Sequence, residues 1–442
     1  MALTEAAYVG AQESAVRPRA PLTWLPLGAV VAAVGYNGAL AIADAHGVHQ
    51  SFATVAVAEL AILASLAAFL IILDEVGFGA VCLILGSLAL SIYVTLASGA
   101  LSLDCARDMM IVALFSALGS KISEGQLLWT FRLITLLVLA VLVLELAATD
   151  LYVRIFQPAA FYADTRGVKE FSLDQSGLFR NALGFQGRFS FGLTSHRTAS
   201  IYIEQVSLAN FAGVLCVFVI TVFRSLSTLD RLLFVGTLLL ILLTNDSRTS
   251  TTLALISLVG YFICPYVATS WCVLILPACL LAGFAIFSIS GAQDTVSPDV
   301  LGDNLLGRVT LTFQHLASLD LGALLGFGAR LAPSFLDSGY AFATVSFTVI
   351  GALLFWLFVA TIVPDRSAAH RRCAFGLNLY MCTNLMIGGT AVFSIKVAAP
   401  LWLLVGFVCA QPNHKTITRA FNTWPDRRRA IKDRALYERH PH

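Results

Sequence analysis

Apolar runs of about 20 residues, separated by short polar stretches, repeat along nearly the whole chain. A helix needs that length to cross a bilayer. Reading the runs by this rule places spans near 22–43, 52–73, 79–98, 106–119, 129–148, 205–223, 231–244, 250–267, 272–290, 338–363, 373–393 and 397–410. The pattern therefore predicts an all-α polytopic membrane protein with about 12 transmembrane helices. Those at 106–119, 231–244 and 397–410 are short and read as broken or re-entrant. Two longer polar segments interrupt the series, near 149–204 and 291–337. They carry aromatic residues such as Phe156, Phe161, Phe185, Phe189 and Phe191, which predicts folded caps over the helices. The organisation expected is a tail over 1–21, one transmembrane domain over 22–410 and a basic tail over 411–442.

Composition agrees with that pattern. Of 442 residues, 58% are hydrophobic and 12% charged, and the mean hydropathy is +0.82. A soluble domain cannot hide so much apolar surface. The nine cysteines are scattered singly, with no CxxC pair, so neither a disulfide framework nor a metal site is expected from them. Residues 1–21 read as a polar tail ahead of a first span at Leu22, not as a cleavable signal.

The net charge of +2 matters less than where it lies. Arg17 and Arg19, Lys121, Arg224 and Arg231, Arg366, Arg371 and Arg372, and the basic residues after Asn413 all fall on one side when spans alternate. The connection 44–51, without Lys or Arg, falls on the other. Positive charge marks the cytoplasmic side, so both termini are expected in the cytoplasm and the two long segments outside it.

The stretch Gly187–Asn210, GRFSFGLTSHRTASIYIEQVSLAN, then draws attention. It sets Arg188, His196, Arg197 and Glu204 just ahead of an apolar run, on the outer side. Arg248 lies in TNDSRTS, a polar hinge between two spans, and Arg308 and Arg330 lie in the second long segment. Arginine suits phosphate because its planar fork donates paired hydrogen bonds and keeps its charge. A single interfacial arginine equally well snorkels to lipid headgroups. Several on one face repel each other unless they share an anion. Glu204 reads either as an orienting carboxylate or base, or as an ordinary helix-start acid favoured by the dipole. His196 and His315 read as a loop base or a solvated ring. Asp337 and Tyr340, in DSGY, precede the tenth span and either cap it or face the site. Glu59 and Glu145 fall within apolar spans, where an ionisable group is a functional candidate. No P-loop, HExxH or nucleophile-elbow motif is present, so nucleotide, zinc and serine-hydrolase chemistry are not indicated.

At these residues the chain resembles the O-antigen polymerase and ligase superfamily of the Wzy/WaaL type. RDMMIVALFSALGS resembles its short early span, and SHRTASIYIEQVSLANF its arginine-plus-acid stretch. LLTNDSRTSTTLAL resembles its Ser-Arg segment, and GRVTLTFQHLASLDLGALLGFG its external arginine followed by Gly-x-Gly (Gly326, Gly328). Ligases of the superfamily carry a His-Asn-type pair before the later span. Asp337-Ser338 stands here, which favours a polymerase, most like the exopolysaccharide polymerases of the xanthan kind.

The resemblance implies a metal-independent glycosyltransferase of the bacterial inner membrane that needs no cofactor. Its donor and acceptor would be undecaprenyl-diphosphate-linked oligosaccharides. It implies Arg188, Arg197 and Arg248 on the diphosphate, and Glu204 or Asp337 as base. Arg308, His196, Tyr340 and Arg330 would bind substrate. Membrane lipid, a chain-length regulator and export proteins are the implied partners, and nucleic acid is not. A ligase, a transporter or flippase of lipid-linked sugar, and a non-catalytic export subunit are the alternatives.

Overall fold

The computed structural model describes residues 24–72, 77–167, 177–179, 182, 190–289, 305–387 and 389–411. These residues are helical, with no strand among them. The helices are α1 (Leu25–Ala45), α2 (Phe52–Ile72), α3 (Phe78–Ser98), α4 (Asp104–Gly119), α5 (Glu124–Ala147), α6 (Thr149–Phe156), α7 (Pro158–Arg166) and α8 (Gln205–Val222). They continue as α9 (Thr228–Asn245), α10 (Arg248–Ile263), α11 (Ile275–Ile289), α12 (Leu305–Ala317), α13 (Leu321–Leu324), α14 (Gly339–Thr361), α15 (Ala368–Ile387) and α16 (Ile395–Ala410).

Nine helices among the described residues are long and apolar enough to cross a membrane, and each coincides with a predicted span. The 231–244 run, expected to be short, belongs to an 18-residue helix that Ser227 caps through the Asp230 amide. The other three predicted spans fall on α4, α15 and α16, which do not meet that criterion. α4 and α16 have 16 residues each, short of the length needed, and α15 carries His370, Arg371, Arg372, Asn378 and Asn384 among its 20 residues. Most of α4 is buried, as is nearly all of α16, so these helices meet protein instead of lipid. By contrast α2, α3 and α11 expose large hydrophobic side chains such as Phe52, Leu85 and Leu281, as helices facing lipid should.

Small residues set the closest approach. A Cβ at Gly406 would collide with the Ser116 backbone of α4, and one at Gly119 with the Leu403 carbonyl of α16. Without water to drive association, such close backbone packing holds membrane helices together. Gly406→Ala is therefore expected to cost about 1–3 kcal/mol. Gly236→Ala, where a Cβ meets open space, should cost nothing. Thermal denaturation in detergent compares the two.

At one end of the bundle Arg132 of α5 grips Asp230 of α9 through two hydrogen bonds of 2.6 and 2.7 Å. At the other end α5 and α9 finish, and α8 and α10 begin. That end carries the residues with chemistry.

Candidate functional site

The segment before α8 is pinned from below. Glu145, in the last turn of α5 and fully buried, accepts the amides of Ala199 (3.0 Å) and Ser200 (2.7 Å). The Ser200 hydroxyl donates to the Val138 carbonyl at 2.7 Å, and the Tyr152 hydroxyl donates to the Ser200 carbonyl at 3.0 Å. Two residues without the freedom of glycine, Ser200 and Ile203, are held at φ 51° and 63°. Ile203 is β-branched, so this conformation costs energy that the surrounding bonds must hold in place. Glu145→Ala leaves two buried amides unpaired and should cost about 1–3 kcal/mol. Faster hydrogen exchange at Ala199 and Ser200 would report it.

A second set of bonds ties the segment to the end of α9. Arg197 is buried. Its Nε donates to the Asn245 carbonyl at 2.8 Å and its Nη2 to Asn245 Oδ1 at 3.3 Å. The Asn245 amide in turn donates to the Thr198 and Gln205 carbonyls at 2.6 and 2.9 Å. Asp246 Oδ1 accepts the Phe191 amide at 3.0 Å. Arg248, the first residue of α10, follows three positions after Asn245. His196 is also buried, with Nε2 3.5 Å from Glu145 Oε1.

Glu204 starts α8 but does not cap it. Its carboxylate meets Arg166 Nη1 of α7 at 2.9 Å and Lys396 Nζ of α16 at 2.9 Å. It also accepts the Ser207 hydroxyl at 2.8 Å. Burial alone would pull the Glu204 carboxyl up, but Lys396 and Arg166 outweigh it and hold it well below the usual carboxylate range. Arg166 also stacks over the Tyr162 ring, 4.6 Å from its centroid. Glu204 raises the guanidinium above its ordinary value, and burial works against that. Burial, reinforced by Glu204, pushes the Tyr162 hydroxyl up.

The ionic cluster continues inward. Glu59 of α2 accepts the Tyr36 hydroxyl at 2.6 Å and faces Arg107 Nε of α4 at 3.6 Å. Asp108, 2% exposed, lies 3.7 Å from the same nitrogen, too far for a hydrogen bond. Lys396 feels the charge of Glu59 as well as that of Glu204, so the two groups form one electrostatic neighbourhood.

The remaining predicted residues lie on other elements. Arg308 of α12 stands 3.6 Å from Asp337 Oδ1, and the Asp337 side chain is 78% exposed. Burial lowers His315 below its ordinary value, with Asp337 opposing. Arg330 donates to the Gly99 carbonyl at 3.0 Å. Tyr340 is buried, and its hydroxyl donates to the Cys382 carbonyl at 2.8 Å, so its polar end is directed at backbone. Arg188 lies outside the described residues.

Arg166, Lys396, Arg107 and Asp108 are site residues that the sequence reading did not single out. Lys396 had a usable signal: a lone lysine one residue inside the apolar run IKVAAPLWLL. Compared with known proteins, the chain matches no family model, no curated protein and no solved structure.

Proposed function

We propose that this chain is a polysaccharide polymerase of a bacterial inner membrane. It would extend glycans carried on undecaprenyl diphosphate, working at the periplasmic face of that inner membrane. Both termini would be cytoplasmic, and α4, α15 and α16 would complete about 12 crossings. The observation that carries the reading is the meeting of Arg166 and Lys396 on Glu204, at the bundle end that also holds Arg197 and Arg248.

In this reading the acceptor hydroxyl attacks the anomeric carbon of the donor, and the C–O bond to the lipid diphosphate breaks. Negative charge grows on the leaving diphosphate, so fixed cations that meet it lower the barrier. Arg248 and Arg188 are assigned to that role, with Arg166 and Lys396 behind them. Glu204, already shared by two cations, is a weak proton acceptor and serves to position them. The hydroxyl proton then passes to Asp337, the second carboxylate of the sequence reading, which Arg308 orients. Displacement at one carbon inverts its configuration. The apolar groove of about 460 Å³ between α3, α4 and α14, lined by Leu83, Leu90, Met109 and Leu354, offers the polyprenyl chain a lateral place.

Purified protein given only lipid-linked repeat units should produce a ladder of lengthening lipid-linked products. A ligase would leave the repeats unextended. One observation favours a second reading, a transporter of lipid-linked sugar: Glu59, Arg107 and Asp108 form an ionic group on membrane helices, as ion-coupled carriers require. Glu59→Gln abolishing cellular activity while Arg197→Ala spares it would select that reading.

A further inference from the structure

We propose a divalent transition-metal site at Asp44, His49 and Asp164, separate from the ionic cluster around Glu204. One donor atom from each of the three lies within 4.8 Å of the others. They come from two distant parts of the chain. Asp44 is in the last turn of α1, His49 is in the connection to α2, and Asp164 is in the last turn of α7.

Two carboxylates this close repel unless a cation or a proton lies between them. The donor set also has the right character. Two carboxylate oxygens and one imidazole suit Mn²⁺ or Zn²⁺ better than Mg²⁺, which prefers oxygen and water throughout. Ligand atoms around such an ion stand about 3–3.5 Å apart, so modest side-chain rotation closes the trio onto it.

A supporting bond is already in place. The Gln50 amide donates to Asp44 Oδ1 at 2.9 Å, which fixes the orientation of that carboxylate, as partners of metal ligands commonly do. Gln50 is itself buried, and its Nε2 donates to the Val48 carbonyl at 2.6 Å, so the loop bearing His49 is held in shape. The site's consequence is positional. Asp164 lies two residues before Arg166, so an ion bridging α7 to the α1–α2 connection would hold Arg166 on Glu204. This role does not depend on which reaction the protein carries out.

The test uses full-length protein in detergent, stripped with a chelator and titrated with Mn²⁺, with free ion followed by electron paramagnetic resonance. One saturable site is expected, displaced by Zn²⁺. Asp164→Asn and His49→Ala should each weaken it by about tenfold or more, and Asp150→Asn, at an exposed acid elsewhere, should not. Mn²⁺ should also raise the melting temperature of the parent protein and leave that of Asp164→Asn unmoved. Absence of saturable binding up to roughly 1 mM, or equal binding by Asp164→Asn, overturns the proposal. The altered side chains at positions 49 and 164 are exposed, so folding of the variants is not at risk. The melting curve of each checks that directly.

Discussion

Lys396→Met is expected to destabilise the protein by about 3–5 kcal/mol, the usual cost of removing one partner from a buried ion pair. The Lys396 side chain is 3% exposed and that of Glu204 15%. Without the ammonium, the only cation left on Glu204 is the half-exposed guanidinium of Arg166, beside the neutral Ser207 hydroxyl. Glu204→Gln creates the converse problem, a buried ammonium without its counter-ion. The double variant Glu204→Gln/Lys396→Met removes both charges, and an apolar or neutral pair of similar shape is often tolerated. Its loss should therefore be much smaller than the sum of the two single losses. Thermal denaturation of all four proteins in detergent gives the coupling. Simple additivity would mean that the contact contributes nothing.

The same group sets an acid limit. The folded Glu204 carboxyl titrates below its unfolded value, about 4.3, and so binds fewer protons than the unfolded chain does. Its contribution is fully present above that value and is lost as the pH falls toward the depressed folded one. Glu204→Gln should flatten this part of the acid-stability curve. Under the polymerase reading the double variant has a further signature. It should recover stability and still fail to build a ladder, because Arg166 has lost its anchor.

The lengths of apolar runs made the helices legible. Nine predicted spans coincide with helices that satisfy length and apolarity, since a helix that crosses a bilayer needs about 20 mostly apolar residues. Burial blurred the rest. α4 and α16 are shielded by neighbours, so their sequences can be short and can carry Arg107, Asp108 and Lys396. Such charges read as interruptions in a hydropathy pattern, whereas the fold gathers them into ion pairs with Glu59 and Glu204. The stretch 187–210 was visible because its arginines and acid are close in sequence. The partners of Glu204 were not, because Arg166 lies 38 positions before it and Lys396 192 positions after it. Glu145 shows a further limit. Its place within an apolar run marks it only as a functional candidate, whereas its work is to accept the amides of Ala199 and Ser200, which have no sequence mark at all. The Asp44, His49 and Asp164 trio was hidden for the same reason.

Arg248→Ala is expected to reduce ladder formation by about 10²–10³-fold, the usual consequence of losing one group that stabilises developing charge. Its effect on the melting temperature should be smaller than that of Arg197→Ala, because Arg248 is only half-buried and Arg197 is buried. Arg248 opens α10 at a half-buried position, just beyond the Ser247 hydroxyl that accepts the Ser250 amide. That cap forms without its side chain. Arg197→Ala should behave in the opposite way. Its guanidinium is buried against Asn245, and its removal frees the Asn245 carbonyl and loosens the segment leading to Glu204. A fall in stability with a proportionate fall in activity is expected there. Lysine substitutions sharpen the contrast. Arg248→Lys keeps the charge but loses the paired hydrogen bonds, so it should restore part of the rate. Arg197→Lys should restore little stability, because one ammonium cannot meet both the carbonyl and Oδ1 of Asn245. Measuring ladder length and melting temperature on the same preparations separates a group that meets the substrate from one that holds the loop. If Arg248→Ala keeps full ladder formation while Arg197→Ala abolishes it with an unchanged melting temperature, the roles assigned to the two arginines are reversed.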